Sequence, residues 1–116
     1  MASDFRPGRN DVMITRNDTW VQSFVLTASA VPVNLTGSTI TIQIRKGCDG
    51  VLALTASTGG NGVTISGAGN NQINVSKLIN IEKGKYVYDI NVAFNSGVIK
   101  TYLEGDFIVY EDVTKP

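Results

Sequence analysis

Ile81-Glu82-Lys83-Gly84-Lys85-Tyr86-Val87-Tyr88-Asp89-Ile90-Asn91-Val92 decides the fold class. From Tyr86 onward the even positions are Tyr86, Tyr88, Ile90, Val92 and Phe94. The odd positions are Val87, Asp89, Asn91 and Ala93. Apolar side chains therefore recur every second residue, the pattern of a strand with one buried face. Gly84 sits just before it and Asn95-Ser96-Gly97 just after, so turn chemistry bounds the strand on both sides.

The same alternation recurs on both sides of this strand. Thr39 to Arg45 buries Ile40, Ile42 and Ile44 and exposes Thr39, Thr41, Gln43 and Arg45. The Gly47–Gly50 turn leads into Val51-Leu52-Ala53-Leu54-Thr55, a hairpin partner. Val63-Thr64-Ile65 and Ile73-Asn74-Val75 flank a Gly/Asn turn and form a second hairpin. Thr19 to Thr27 has apolar residues on both faces, Trp20, Phe24 and Leu26 on one and Val21 and Val25 on the other. Cover on both sides is expected. Ser76 to Lys83 is the one helical candidate, with Ser76 as its cap. Val98 to Leu103 returns from the hairpin, Gly105 breaks or bulges it, and Phe107-Ile108-Val109-Tyr110 ends the sheet. About eight strands at this spacing predict an all-β antiparallel sandwich of about 7–9 strands.

Residues 1–10 read as an extended arm, broken by Pro7-Gly8 and solvated by Arg6 and Arg9; residues 11–116 are the sandwich domain. The chain has 116 residues, enough for one domain. Its net charge is zero, so no basic excess exists to neutralise phosphates, and no nucleic-acid partner is expected. No stretch is long and apolar enough to cross a membrane as a helix, and the N-terminus does not read as a signal peptide. The three Asn-x-Ser/Thr triplets, at Asn17, Asn34 and Asn74, are expected by chance in a chain this rich in Asn, Ser and Thr.

No catalytic constellation stands out. Histidine is absent, which removes serine–histidine hydrolysis and most zinc sites, and leaves Cys48 without a base to make thiolate. Glu104, Asp106, Glu111 and Asp112 read as a solvated strand edge. Asp89, mid-strand, faces water or pairs across strands with Arg45 or Lys100. Asn17-Asp18 and Asn70-Asn71 could supply oxygens to calcium, but nothing sets their spacing. No enzyme, cofactor or metal is expected. Trp20, Tyr102 and Tyr110 are the candidates for a sugar-stacking patch.

Ile81, Gly84 and Tyr86 resemble the tyrosine corner of immunoglobulin-like sandwiches. There a tyrosine turns its hydroxyl onto the backbone of the loop before it. The wider order also has a family look. Asn17-Asp18-Thr19 opens a strand, and Val33-Asn34-Leu35-Thr36-Gly37 leads into Thr39–Arg45. Gly84-Lys85-Tyr86-Val87-Tyr88-Asp89 follows, and Leu103 to Val109 closes the domain. This resembles the immunoglobulin-like domains of tailed-bacteriophage virion proteins, such as the N-terminal domain of baseplate upper or fibre attachment proteins. The resemblance implies a non-enzymatic adaptor, attachment or decoration module of tail, neck or capsid. It implies other virion proteins as partners, a homo-oligomer such as a trimer or ring, and residence in the virion after assembly in the host cytoplasm. With no fibre or receptor-binding head after Pro116, the expectation is a stand-alone adaptor, neck or decoration protein. The arm residues Phe5, Arg6 and Arg9 are the expected partner contacts, and Gly84 and Tyr86 the structural corner. The alternative is a carbohydrate-binding or host-receptor-binding β-sandwich module.

Overall fold

The computed structural model of the protein describes residues 8–28, 31–47 and 50–111. Among them the elements are β1 (Gly8–Arg9), β2 (Val12–Thr15), β3 (Thr19–Val25), β4 (Thr27–Ala28), β5 (Val31–Pro32) and β6 (Thr39–Arg45). They continue with β7 (Leu52–Ser57), β8 (Val63–Ser66), β9 (Gln72–Leu78), β10 (Gly84–Ala93) and β11 (Ile99–Tyr110). The large sheet runs β1-β11-β10-β6-β7, with β2 also on β11. The small sheet runs β3-β9-β8, and β4 and β5 form a short ribbon. Together they make an immunoglobulin-like β-sandwich, with the large sheet extended past its β11-β10-β6 centre as in variable-type domains.

The core follows from the alternation. Ile42 lies opposite Ile90, Ile40 opposite Val92 and Ile44 opposite Tyr88, all buried. Trp20, Val63, Ile73 and Val75 cover them from the small sheet. Leu35 is fully buried at the approach to β6. Trp20 stands edge-on to Phe107 at 5.1 Å and to Tyr88 at 5.6 Å, and these two rings meet at 5.8 Å. At the start of β10 the Tyr86 hydroxyl donates to the Glu82 carbonyl at 2.7 Å, tying the strand to the loop before it.

Four sequence expectations give way. Ser76–Leu78 is strand, because β9 stays in register with β3 as far as Thr19 opposite Leu78. Ile79 then exchanges backbone bonds with Asn17 and Asp18, so the connection needs no helix. Next, β11 runs unbroken through Gly105. The irregularity falls at Tyr102, between the pairs Ile90–Leu103 and Asn91–Thr101. Glu104 and Asp106 therefore stand mid-strand beside β10, not at a strand end. The arm ends earlier than expected: Gly8 and Arg9 pair in parallel with Leu103 and Glu104 and belong to the sandwich. Lastly, β3 is covered on one face only, with Val21 and Val25 exposed on the other.

The strand from Gly8 to Thr15 is one parallel partner of β11, interrupted at Asn10-Asp11. There the Asp11 carboxylate accepts the Asp106 N–H at 2.9 Å, taking the place of a ladder carbonyl. The Asn10 carbonyl turns inward and accepts the Tyr88 hydroxyl. The Asn10 amide also donates to that hydroxyl at 3.0 Å, and the Trp20 indole N–H donates to Gln22 at 2.9 Å. The polar atoms carried into the core by these aromatic residues are thus satisfied.

Candidate functional site

Odd-numbered side chains of β10 point away from the core, and their neighbours on three strands complete a shallow trough. Asp89 lies opposite Gln43 of β6 on one side and Glu104 of β11 on the other. Val87 lies opposite Arg45 and Asp106, and Arg9 of β1 lies beside Glu104. These residues enclose about 350 Å3 on the outer face of the large sheet.

The charges of the trough interleave. Arg9 Nη2 is 3.2 Å from Asp11 Oδ1 and 3.4 Å from Asp106 Oδ2. Lys85 Nζ reaches the same Asp106 oxygen at 3.8 Å. Arg45 Nη2 donates to Gln43 Oε1 at 2.9 Å. Burial raises the Asp89 pKa above the ordinary carboxylate value; nearby Arg45 opposes the shift and nearby Glu104 adds to it. Among the described residues Arg9 and Lys85 both pair with Asp106 and Arg9 also pairs with Asp11, while Asp89 is a half-buried carboxylate whose pKa burial holds above the ordinary value. Lys100, the other proposed partner of Asp89, has its ammonium 4.9 Å from the Tyr102 ring centre.

The sign of the Asp89 shift gives a prediction. The fold disfavours the ionised form, so the folded pKa lies above the unfolded one. The neutral form's advantage is full below the unfolded value and is lost as pH rises through the folded value. Asp89→Asn should therefore raise the melting temperature at neutral pH. The gain should shrink steadily as pH falls through the carboxylate range. Thermal melts of both proteins across that range check it.

Of the expected partner residues, Arg9 lies in the trough, while Phe5 and Arg6 lie outside the described residues. Cys48, Asp49 and Asp112 also lie outside them. Gly84 and Tyr86 sit at the corner, with the Tyr86 ring buried. Trp20 is 3% exposed and is core, so it offers no platform to a sugar. Tyr110 is half exposed at the end of β11, while Tyr102 packs edge-on against Phe94 at 6.3 Å. Among the described residues no group of three or more His, Cys, Asp or Glu side chains could hold a metal ion. Asp106 escaped sequence reasoning as a trough residue. Its one signal was the glycine before it, which marks a close approach of backbone.

No protein-family model matches the chain, and no curated protein matches it. Among solved structures it is similar to CopC from Methylosinus trichosporium OB3b, at TM-score 0.50 and 15% identity over 94% of this chain and 90% of that one. Murine CRIg aligns at TM-score 0.39 and 11% identity, over 88% of this chain and 92% of that one. The ZIG-8 IG1 homodimer aligns at TM-score 0.39 and 14% identity, over 91% and 83%. At such identity the CopC likeness concerns the fold alone.

Proposed function

We propose that this domain is a non-enzymatic structural module of a bacteriophage virion, an adaptor that binds other virion proteins through the outer face of its large sheet. The trough carries the docking part of this reading. Its three cations, Arg9, Arg45 and Lys85, stand among the carboxylates Asp11, Asp89, Glu104 and Asp106. A partner bearing the complementary mosaic would gain orientation from these groups, and like charges would reject a wrong one. The virion context rests on the resemblance of residues 11–114 to the immunoglobulin-like domains of phage virion proteins. The sugar-binding alternative loses one of its aromatic candidates, because Trp20 is buried, and keeps Tyr110, which is half exposed.

The test is quantitative mass spectrometry of purified particles of the phage that encodes the chain. A dozen or so copies per particle places the chain in a neck, tail or attachment ring, and hundreds place it on the capsid. Absence from the particle overturns the virion reading. Particles grown with Arg45→Glu in place of the wild-type chain should lose most of it, while the isolated variant still folds.

A further inference from the structure

The small sheet differs from the large one in charge. Its outer face carries Val21, Ser23 and Val25 on β3, Asn74 and Ser76 on β9, and Ser66 on β8, with no ionisable side chain between them. Ser23, Asn74, Ser66 and Gln72 are joined across this face by hydrogen bonds of 2.7–2.8 Å. Val21 is 73% exposed and Val25 64%.

β3 is also an edge. Among the described strands it pairs only with β9, and its seven residues hold no charge, proline, glycine or bulge. Those are the devices that normally blunt an open edge. Beside it, facing Tyr102 and Leu103 of β11, lies an open groove of about 480 Å3. The direction of the free backbone groups follows from the ladder. Leu26 N–H bonds the Asn71 carbonyl and Ile79 N–H bonds the Asp18 carbonyl, so even-numbered residues form the hydrogen-bonded pairs with β9. The N–H and C=O groups of Thr19, Val21, Ser23 and Val25 therefore point to the open edge.

We propose that β3 is a self-pairing edge, through which two copies of the chain join their small sheets into one continuous six-stranded sheet. The strand fits itself antiparallel about a two-fold axis at Gln22. Thr19 then faces Val25 of the second copy and Val21 faces its Ser23, so every outward backbone group meets a partner. Four such pairs exchange about eight backbone bonds. On the inner side Trp20 falls beside Phe24 of the other copy. No like-charge pair arises, because the strand has no charge, and the chain's net charge of zero adds no long-range repulsion. This association goes beyond the docking of other virion proteins. It is measured on the isolated chain, so it stands or fails apart from that proposal.

Sedimentation equilibrium of the full chain tests it. A monomer–dimer equilibrium is expected below about 1 mM. Val21→Lys places two lysines diagonally across the two-fold axis and should weaken the dimer at least about tenfold. Because Val21 is exposed, the variant should fold as the wild type does. In a Cys48→Ser background, Gln22→Cys should oxidise to a covalent dimer, since the two positions face each other at about 4.5 Å between Cα atoms. A wild-type chain that stays monomeric at about 1 mM, or a dimer indifferent to Val21→Lys, overturns the proposal.

Discussion

Trp20→Ala is expected to cost about 3–5 kcal/mol of stability, the range for removing a large aromatic side chain from a core. Against a typical total of about 5–15 kcal/mol, that leaves a marginal fold. The size of the effect follows from position. Trp20 is the small sheet's contribution to the aromatic triad, standing edge-on to both Tyr88 and Phe107 of the large sheet. Collapse around the gap is limited, because Tyr88 is held by two bonds to Asn10 and Phe107 is fully buried. The truncation also strips Gln22 Oε1 of its indole donor. Trp20→Phe keeps most of the apolar volume but loses the hydrogen bond, so it should cost distinctly less. Urea unfolding of the two variants beside the wild type checks the order. A loss under about 0.5 kcal/mol for Trp20→Ala, within the range of a surface substitution, would show that the ring does not bridge the sheets. The same result decides how any loss of ligand binding by this variant is to be read.

Trp20 also shows what was legible in the sequence. Its strand displays apolar residues on both faces, and periodicity alone could not say which face is covered. The answer depends on how much sheet lies opposite. The large sheet buries Trp20, whereas nothing among the described residues covers Val21 and Val25. β6 and β10 were legible because each keeps one unbroken apolar face, set against Thr, Gln and Arg in β6 and against a face centred on Asp89 and Asn91 in β10. The segment from Ser76 to Lys83 misled because Leu78, Ile79 and Ile81 suggest a helical stripe. In the fold, Leu78 is half exposed at the end of a strand, while Ile79 is buried in the connection. The trough was the least legible part. It gathers Arg9, Arg45, Asp89 and Asp106 from four strands, and a parallel pairing brings Arg9 beside a residue far along the chain. The register on β10 also depends on the irregularity at Tyr102. No local pattern encodes that juxtaposition; the sequence marks Arg9 only as a solvated cation of the N-terminal arm and an expected partner contact.

Gly105 is where that long-range pairing is most exposed to a single substitution. Gly105→Ala should destabilise the protein by about 2–4 kcal/mol, combining an overpacked core position with a lost buried hydrogen bond. The residue lies on the inward face of β11 opposite Tyr88 and is itself buried. The space a side chain would take is filled by the backbone of Asn10. A Cβ there would collide with the Asn10 carbonyl oxygen, lie 2.8 Å from its carbonyl carbon and 3.0 Å from Asp11 Oδ1. The nearest obstacles are main chain, so no rotamer change relieves the clash. Asn10 must move away, and the Tyr88 hydroxyl then loses both of its partners while still inside the sandwich. The damage should stay directional. Hydrogen exchange should accelerate first at those amides of Val12 to Thr15 that point to β11, where the strand pairs in parallel with Phe107 to Tyr110. The amides shared by β6 and β10 should keep protection up to the global unfolding limit. Uniform acceleration across both sheets would mean instead that the N-terminal strand and the core open as one unit. Exchange unchanged from wild type would mean that the backbone at Asn10 yields freely, and that its contact with Tyr88 does not hold the strand in place.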